Sequence, residues 1–316
     1  MCTYLIIGGN GFIGSALVNQ LSELPDTCKI YIVAENGPTI VGATDKVTTF
    51  GNPSDASLQA LISMSDYIFH LGATVGVEKI MRDPCGAMMN SISITMRVIS
   101  CNRRYRRPII FTSSSEVYRN VEDSRESQPL YIERTDDIRT SYAISKLTCE
   151  SMLSTSGQPV IITRLFNVVG RGQRPNSGMV IPKFVAAAIN GEPLVVHDDG
   201  RQIRCFCHVS DATNALISLH KRKDLYGNIY NIGNPSNKIS IRDLANKVIQ
   251  LSSGTSSDIQ YTDYSSRYDG EDIHIRIPNI DRIKNDINWN PKVGLDFIIE
   301  GVIDETREDT SSLSAC

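Results

Sequence analysis

Short apolar runs alternate with amphipathic stretches through the first 170 residues of this 316-residue chain. The runs over 3–7, 29–33, 47–50, 67–71, 108–113 and 160–164 are rich in β-branched and aromatic residues, which predicts strands. Stretches near 12–24, 56–64, 84–101 and 140–156 space their apolar residues at the helical period, which predicts helices. Strand, helix and strand in regular succession predict an α/β fold with a doubly wound parallel sheet. Past Asn167 the rhythm loosens, and the loop over 170–178 is dense in Gly, Pro, Asn and Ser. Helices near 180–190, 210–220, 240–251 and 295–306 and strands near 193–196, 203–207 and 228–232 are expected beyond it. Residues 1–170 then form one domain, 171–308 mainly a smaller cap with a possible return to the sheet, and 309–316 a disordered tail.

The first strand ends in Gly8-Gly9-Asn10-Gly11-Phe12-Ile13-Gly14 and runs into a helix. Gly8, Gly11 and Gly14, with Phe12 and Ile13 between them, make a Gly-x-x-Gly-x-x-Gly fingerprint in the context it needs. Glycines let the backbone approach a pyrophosphate, and the helix N-terminus offers free N–H groups. This makes the first domain Rossmann-type and dinucleotide-binding, the bland alternative being a glycine turn without a ligand. The second strand leads to Glu35, placed to bind the adenosine ribose hydroxyls and to repel a 2′-phosphate, so NAD is expected over NADP. A solvated Glu35 without a role is the competing reading. Asn52 is placed to reach the adenine edge, and Leu71, Gly72 and Ala73 close the next strand with the clearance a cofactor needs.

Composition changes this picture little. A net charge of −3 carries no nucleic-acid or membrane signal, and no apolar stretch reaches bilayer length. Met1 to Gly8 reads as a first strand and not as a signal peptide. The eight cysteines are scattered and include no Cys-x-x-Cys pair, so free thiols in the cytoplasm are expected. The five histidines show no metal-ligand spacing, and no metal is expected.

The chemistry enters at Tyr142 and Lys146, four apart and so on one face of a predicted helix, downstream of the serines Ser113, Ser114 and Ser115. A phenol of pKa ~10 is a poor base near neutrality. A neighbouring ammonium favours its phenolate. Without such partners a tyrosine is ordinary packing.

These pieces, in this order, resemble the extended short-chain dehydrogenase/reductase family of NAD-dependent nucleotide-sugar epimerases, dehydratases and decarboxylases. Further matches are His70-Leu71-Gly72-Ala73, Phe111 to Tyr118, Arg164-Leu165-Phe166-Asn167 and Arg204 to Asp211. The resemblance implies that Tyr142 takes the proton of the sugar C4 hydroxyl, with Lys146 lowering its pKa and holding the nicotinamide ribose. It implies that Ser114 hydrogen-bonds the C4 oxygen while hydride passes to NAD, giving a 4-keto sugar. Ser115, Asn167, Arg204 and His197 would touch the UDP-sugar substrate.

Glu116 makes the run Ser114 to Tyr118 most similar to UDP-glucuronate decarboxylases, in which an arginine at the position of Arg276 serves the departing carboxylate. Arg276 as a diphosphate ligand is the alternative role. A 4-epimerase, a dehydratase using Glu116, and a non-catalytic nucleotide-binding regulator remain as other readings. The chain departs from the pattern at Arg119, where the family has glycine, and at the acidic loop 267–272. Helices 84–101 and 140–156 carry apolar residues on more than one face, including Met88, Met89, Ile92, Ile94, Met96, Val98 and Ile99. A homodimer through a four-helix interface is therefore expected.

Overall fold

A computed structural model describes residues 1–34, 45–73, 76–132, 134–135, 137–173, 178–252, 257–264 and 273–314. The first half runs β1 (Cys2–Ile7), α1 (Phe12–Glu23), β2 (Thr27–Ala34), β3 (Val47–Gly51), α2 (Asp55–Met64), β4 (Tyr67–His70), α3 (Val77–Arg82), α4 (Pro84–Asn102) and β5 (Ile109–Ser114). It continues through β6 (Val121–Ser124), α5 (Ile138–Thr155), β7 (Val160–Leu165) and β8 (Val168–Val169). The second half adds α6 (Val180–Ile189), β9 (Leu194–His197), β10 (Ile203–Cys205), β11 (Cys207–His208), α7 (Val209–His220), β12 (Ile229–Ile232), β13 (Lys238–Ser240) and α8 (Ile241–Leu251). It ends with β14 (Ile259–Thr262), β15 (Arg276–Pro278), α9 (Asp281–Ile287) and α10 (Leu295–Ser314).

Seven parallel strands form the central sheet, in the order β12-β7-β5-β4-β1-β2-β3. Their residues are apolar on both sides because helices cover both faces. One face buries Tyr4, Ile6, Ile30 and Tyr230 against Leu17 and Leu21 of α1 and Leu216 of α7. The other buries Leu5, Ile7, Ile109 and Phe111 against Leu58, Val98 and Leu153 of α2, α4 and α5. A separate cluster of Phe184, Val185, Val196, Leu244 and Ile299 holds α6, β9, α8 and α10 together. Strand order reverses between β1 and β4, so a crevice opens beyond their C-terminal ends. A doubly wound sheet takes its ligand in such a crevice.

The long strands and helices fall where hydrophobic spacing predicts them. The short pieces do not. β6 and β15, of four and three residues, are too brief to show an alternation. The strand expected over 203–207 breaks at Phe206: β10 pairs with β13, whereas β11 pairs with β8. The tail expected to be disordered from residue 309 instead continues α10 to Ser314. Its last turns are tied down, because Glu305 accepts the Gly172 N–H at 2.7 Å and Arg171 pairs with Glu308 at 2.5 Å. On α4, Val98 is buried, whereas Met89 and Met96 are 58% and 52% exposed.

Two buried histidines set an acid limit on this fold. Burial pushes His70 down to about 3 and His220 to about 4. In the unfolded chain both take up protons near 6.5. Stability is therefore full above that value and falls as pH drops towards the folded-state values. At pH 5 the pair removes on the order of 4 kcal/mol. A thermal midpoint that stays flat between pH 7 and pH 5 would contradict this.

Candidate active site

The glycine turn is closed by backbone packing. Gly8 has φ +83°, and a Cβ there would lie 2.8 Å from the Gly72 nitrogen. A Cβ on Gly14 would lie 2.3 Å from the Gly8 carbonyl oxygen. No side chain larger than hydrogen fits either place. Helix α1 starts at Phe12, and its N-cap Gly11 supplies no side-chain acceptor. The first-turn N–H groups are thus available to an anion. Leu71 donates its N–H to Ile7 O at 2.9 Å, which brings the β4 end with Gly72 and Ala73 alongside the turn. Asn52 is exposed, with φ +31°, at the end of β3. Glu35 lies outside the described residues.

Deeper in the crevice, Thr95 Oγ1 donates to Ser91 O at 2.8 Å and so accepts from His70 Nε2, also at 2.8 Å. Among the described residues, His70 Nδ1 is left as a buried acceptor without a partner, and the Ser113 hydroxyl is likewise unpartnered. Buried polar atoms of this kind are costly unless a ligand or water meets them. With the glycine cradle, they fit a dinucleotide laid across the strand ends.

Helix α5 presents Tyr142 and Lys146 on one face. Lys146 is 3% exposed, donates to Thr112 O at 2.8 Å, and lies 5.9 Å from the centre of the Tyr142 ring. Burial pushes it down to about 8. Burial and the charge of Glu116 raise the half-buried Tyr142 above its ordinary value. The Ser114 hydrogen bond and Arg276 pull it back. The resting side chain is a neutral phenol.

Ser114 also accepts the Glu116 N–H at 3.2 Å, starting the single turn Ser115–Tyr118. From the other half of the chain, β15 pairs with β6 and sets Arg276 opposite Val121. Arg276 Nη1 donates to Glu116 Oε1 at 2.9 Å and to Ser115 Oγ at 3.4 Å. Its Nε and Nη2 are buried with no partner among the described residues. A guanidinium with two unmet donors is built to receive a planar anion. Ser115, 2% exposed, accepts the longer of these contacts.

The other expected substrate ligands are spread more widely. Asn167, at φ +37°, donates its amide to Cys205 O at 3.0 Å. Arg204 is 9% exposed on β10, which bridges through Ile203 to Ile275, next to Arg276. His197 ends β9, with Nδ1 3.2 Å from Thr262 Oγ1 and its ring against Tyr264. Arg119 stands where glycine was expected and keeps a glycine-like backbone at φ 58°, ψ −131°. Such a conformation costs on the order of 1–3 kcal/mol. The Arg119 guanidinium pairs at 3.4 Å with Asp137, just ahead of α5, and so ties the Glu116 turn to that helix.

Sequence reasoning assigned no role to Glu150, Tyr118 or Asn231. The signal for Glu150 was its position four residues past Lys146, on the same helical face.

The family model described as NAD dependent epimerase/dehydratase family matches residues 4–233. A UDP-N-acetyl-alpha-D-glucosaminuronate decarboxylase of Bacillus cytotoxicus is 31% identical, over 96% of this chain and 97% of that protein. UDP-glucuronic acid decarboxylase 5 of Arabidopsis thaliana is 31% identical, over 92% of this chain and 85% of that protein. Among solved structures, a UDP-glucuronic acid 4-epimerase from Bacillus cereus in complex with UDP-glucuronic acid and NAD superposes with a TM-score of 0.83. It is 22% identical and covers 97% of this chain and 99% of that one.

Proposed function

Because this chain belongs to the NAD dependent epimerase/dehydratase family, we propose that it decarboxylates a UDP-linked hexuronate, UDP-glucuronate first among them. The Arg276–Glu116 pair, near the Tyr142 and Lys146 face of α5, carries this reading. Oxidation at C4 and a hold on the C6 carboxylate are the two things the reaction needs. The two 31% identical relatives named above are both decarboxylases of such sugars.

NAD, when bound, would supply the hydride acceptor and a positive charge that favours the Tyr142 phenolate. Gly8, Gly11, Phe12, Ile13, Gly14, Leu71, Gly72 and Ala73 would hold it, Asn52 and, by its place in the sequence, Glu35 would serve its adenosine end, and Lys146 would serve its nicotinamide ribose. With its own proton first lost to solvent, Tyr142 as the phenolate takes the C4 hydroxyl proton while Ser114 holds the C4 oxygen. The 4-keto hexuronate is a β-keto acid. Its C5–C6 bond breaks to release carbon dioxide, leaving an enolate that is protonated at C5. Arg276 orients the carboxylate, and Glu116 fixes Arg276. Asn167 and Arg204 serve the diphosphate, and His197 lies towards the base.

Mass spectrometry of the product from UDP-glucuronate, with the N-acetylated hexuronate in parallel, tests this. Loss of carbon dioxide is expected. An unchanged mass with a new sugar would replace this reading with a 4-epimerase, and loss of water with a dehydratase. NAD should bind better than NADP in a titration of both.

The protein is expected to form a homodimer, with Met89 and Met96 of α4 covered by a second copy. A monomer by light scattering at micromolar concentration would refute that. No helix among the described residues is long and apolar enough to cross a membrane. A reducing compartment such as the cytoplasm suits the seven described cysteines, all of them free.

A further inference from the structure

Three pieces of the candidate site come from distant parts of the chain: Tyr142 on α5, Glu116 after β5, and Arg276 on β15. One buried hydrogen-bond network joins all three. Glu150 lies two turns beyond Tyr142 on α5 and accepts from Arg164 Nε at 3.0 Å and from Nη2 at 2.7 Å. Arg164 Nη1 donates to the Tyr118 hydroxyl at 2.8 Å. Tyr118 closes the turn that contains Glu116 and donates to Asn231 Oδ1 at 2.8 Å. Asn231 Nδ2 donates to Ser124 O at 2.7 Å and to Asn279 O at 3.1 Å. Ser124 ends β6 and Asn279 follows β15, so these two carbonyls belong to the strand pair that carries Arg276.

The network is buried, and each of its four side chains is hydrogen-bonded. Tyr118 is 4% exposed, Glu150 5%, Arg164 2% and Asn231 0%. Both amide hydrogens of Asn231 are used, and Glu126 Oε1 accepts its backbone N–H at 2.9 Å. Buried networks satisfied in this way are rigid, and their members act together. None of the four side chains has a role in the proposed chemistry.

We propose that Tyr118 and Asn231 are positioning residues that hold the Arg276–Glu116 pair in fixed register with Tyr142. The group that oxidises C4 and the group that grips the C6 carboxylate then share one frame. This rests on the decarboxylase reading for the step it affects, although the coupling itself can be measured in binding. Positioning matters because a displacement of about 1 Å at a reacting centre costs on the order of 100-fold in rate.

Tyr118→Phe is the sharpest test, since it removes the linking hydroxyl and keeps the ring and the Arg164–Glu150 pair. NAD affinity and first-turnover NADH absorbance should stay within about threefold of wild type. Carbon dioxide release should fall about tenfold or more, the scale of one lost buried hydrogen bond to a charged group. NADH and the 4-keto acid should accumulate. Asn231→Ala should do the same. A double-mutant cycle of Tyr118→Phe with Arg276→Lys, read on UDP-glucuronate affinity, should be non-additive. Equal loss in the NADH and carbon dioxide steps would overturn the proposal, and so would an additive cycle. If wild type releases no carbon dioxide, the decarboxylase reading fails, and the binding cycle alone decides the coupling.

Discussion

Tyr142→Phe lowers turnover at least ~100-fold, the range for a positioned acid–base group, and leaves NAD binding nearly intact. The change deletes one oxygen and almost no volume, so the packing of α5 is kept. The lost oxygen is the atom that meets Ser114 and faces the charges of Glu116 and Arg276. Burial holds the phenol neutral in the resting site, so a proton leaves it only when substrate and cofactor change that balance. Lys146→Met should behave differently. It removes the Nζ that donates to Thr112 O at 2.8 Å, and it weakens NAD binding as well as turnover. Fluorescence titration with NAD, beside steady-state rates, separates the two variants. Near-normal turnover in Tyr142→Phe would remove the base from every reaction considered for this site.

The parts of the molecule legible in the sequence are those whose signal is local. The spacing of Gly8, Gly11 and Gly14 after an apolar run needs no distant partner to be read. The same holds for Tyr142 and Lys146, because a helix alone places them on one face. Arg276 is different. It lies on a strand of three residues, and its meaning depends on β6, whose register sets it opposite Val121. Only resemblance singled it out. Asn231 and Tyr118 lie 113 residues apart and meet through one hydrogen bond. No periodicity encodes that contact. Ser115, expected at the substrate, accepts from Arg276 Nη1 at 3.4 Å, a contact that depends on β15 and leaves no trace in the local sequence. Helix α10 outlasted its expected end because Glu305 and Glu308 meet the 170–173 loop, a contact invisible along the chain.

Arg276→Ala should cost on the order of 10²–10³-fold in carbon dioxide release, as truncating one partner of a buried charge-assisted contact does. Arg276 is 3% exposed, and among the described residues only its Nη1 has partners. A buried guanidinium with two unmet donors carries a desolvation cost that its single contact with Glu116 offsets only in part. Removing it also leaves the largely buried Glu116 carboxylate without its cation, so the thermal midpoint should fall too, and the activity and binding losses are read on a variant that is shown to be folded. Arg276→Lys should rescue little, because an ammonium lacks the flat fork that grips both carboxylate oxygens. The diphosphate alternative gives a different pattern. If Arg276 held the diphosphate, Arg276→Ala would weaken UDP and UDP-glucose as much as UDP-glucuronate. If it holds the carboxylate, only the hexuronate loses affinity. Calorimetric titration of the three ligands against wild type and Arg276→Ala decides between them, and equal losses for all three would move Arg276 from the carboxylate to the diphosphate.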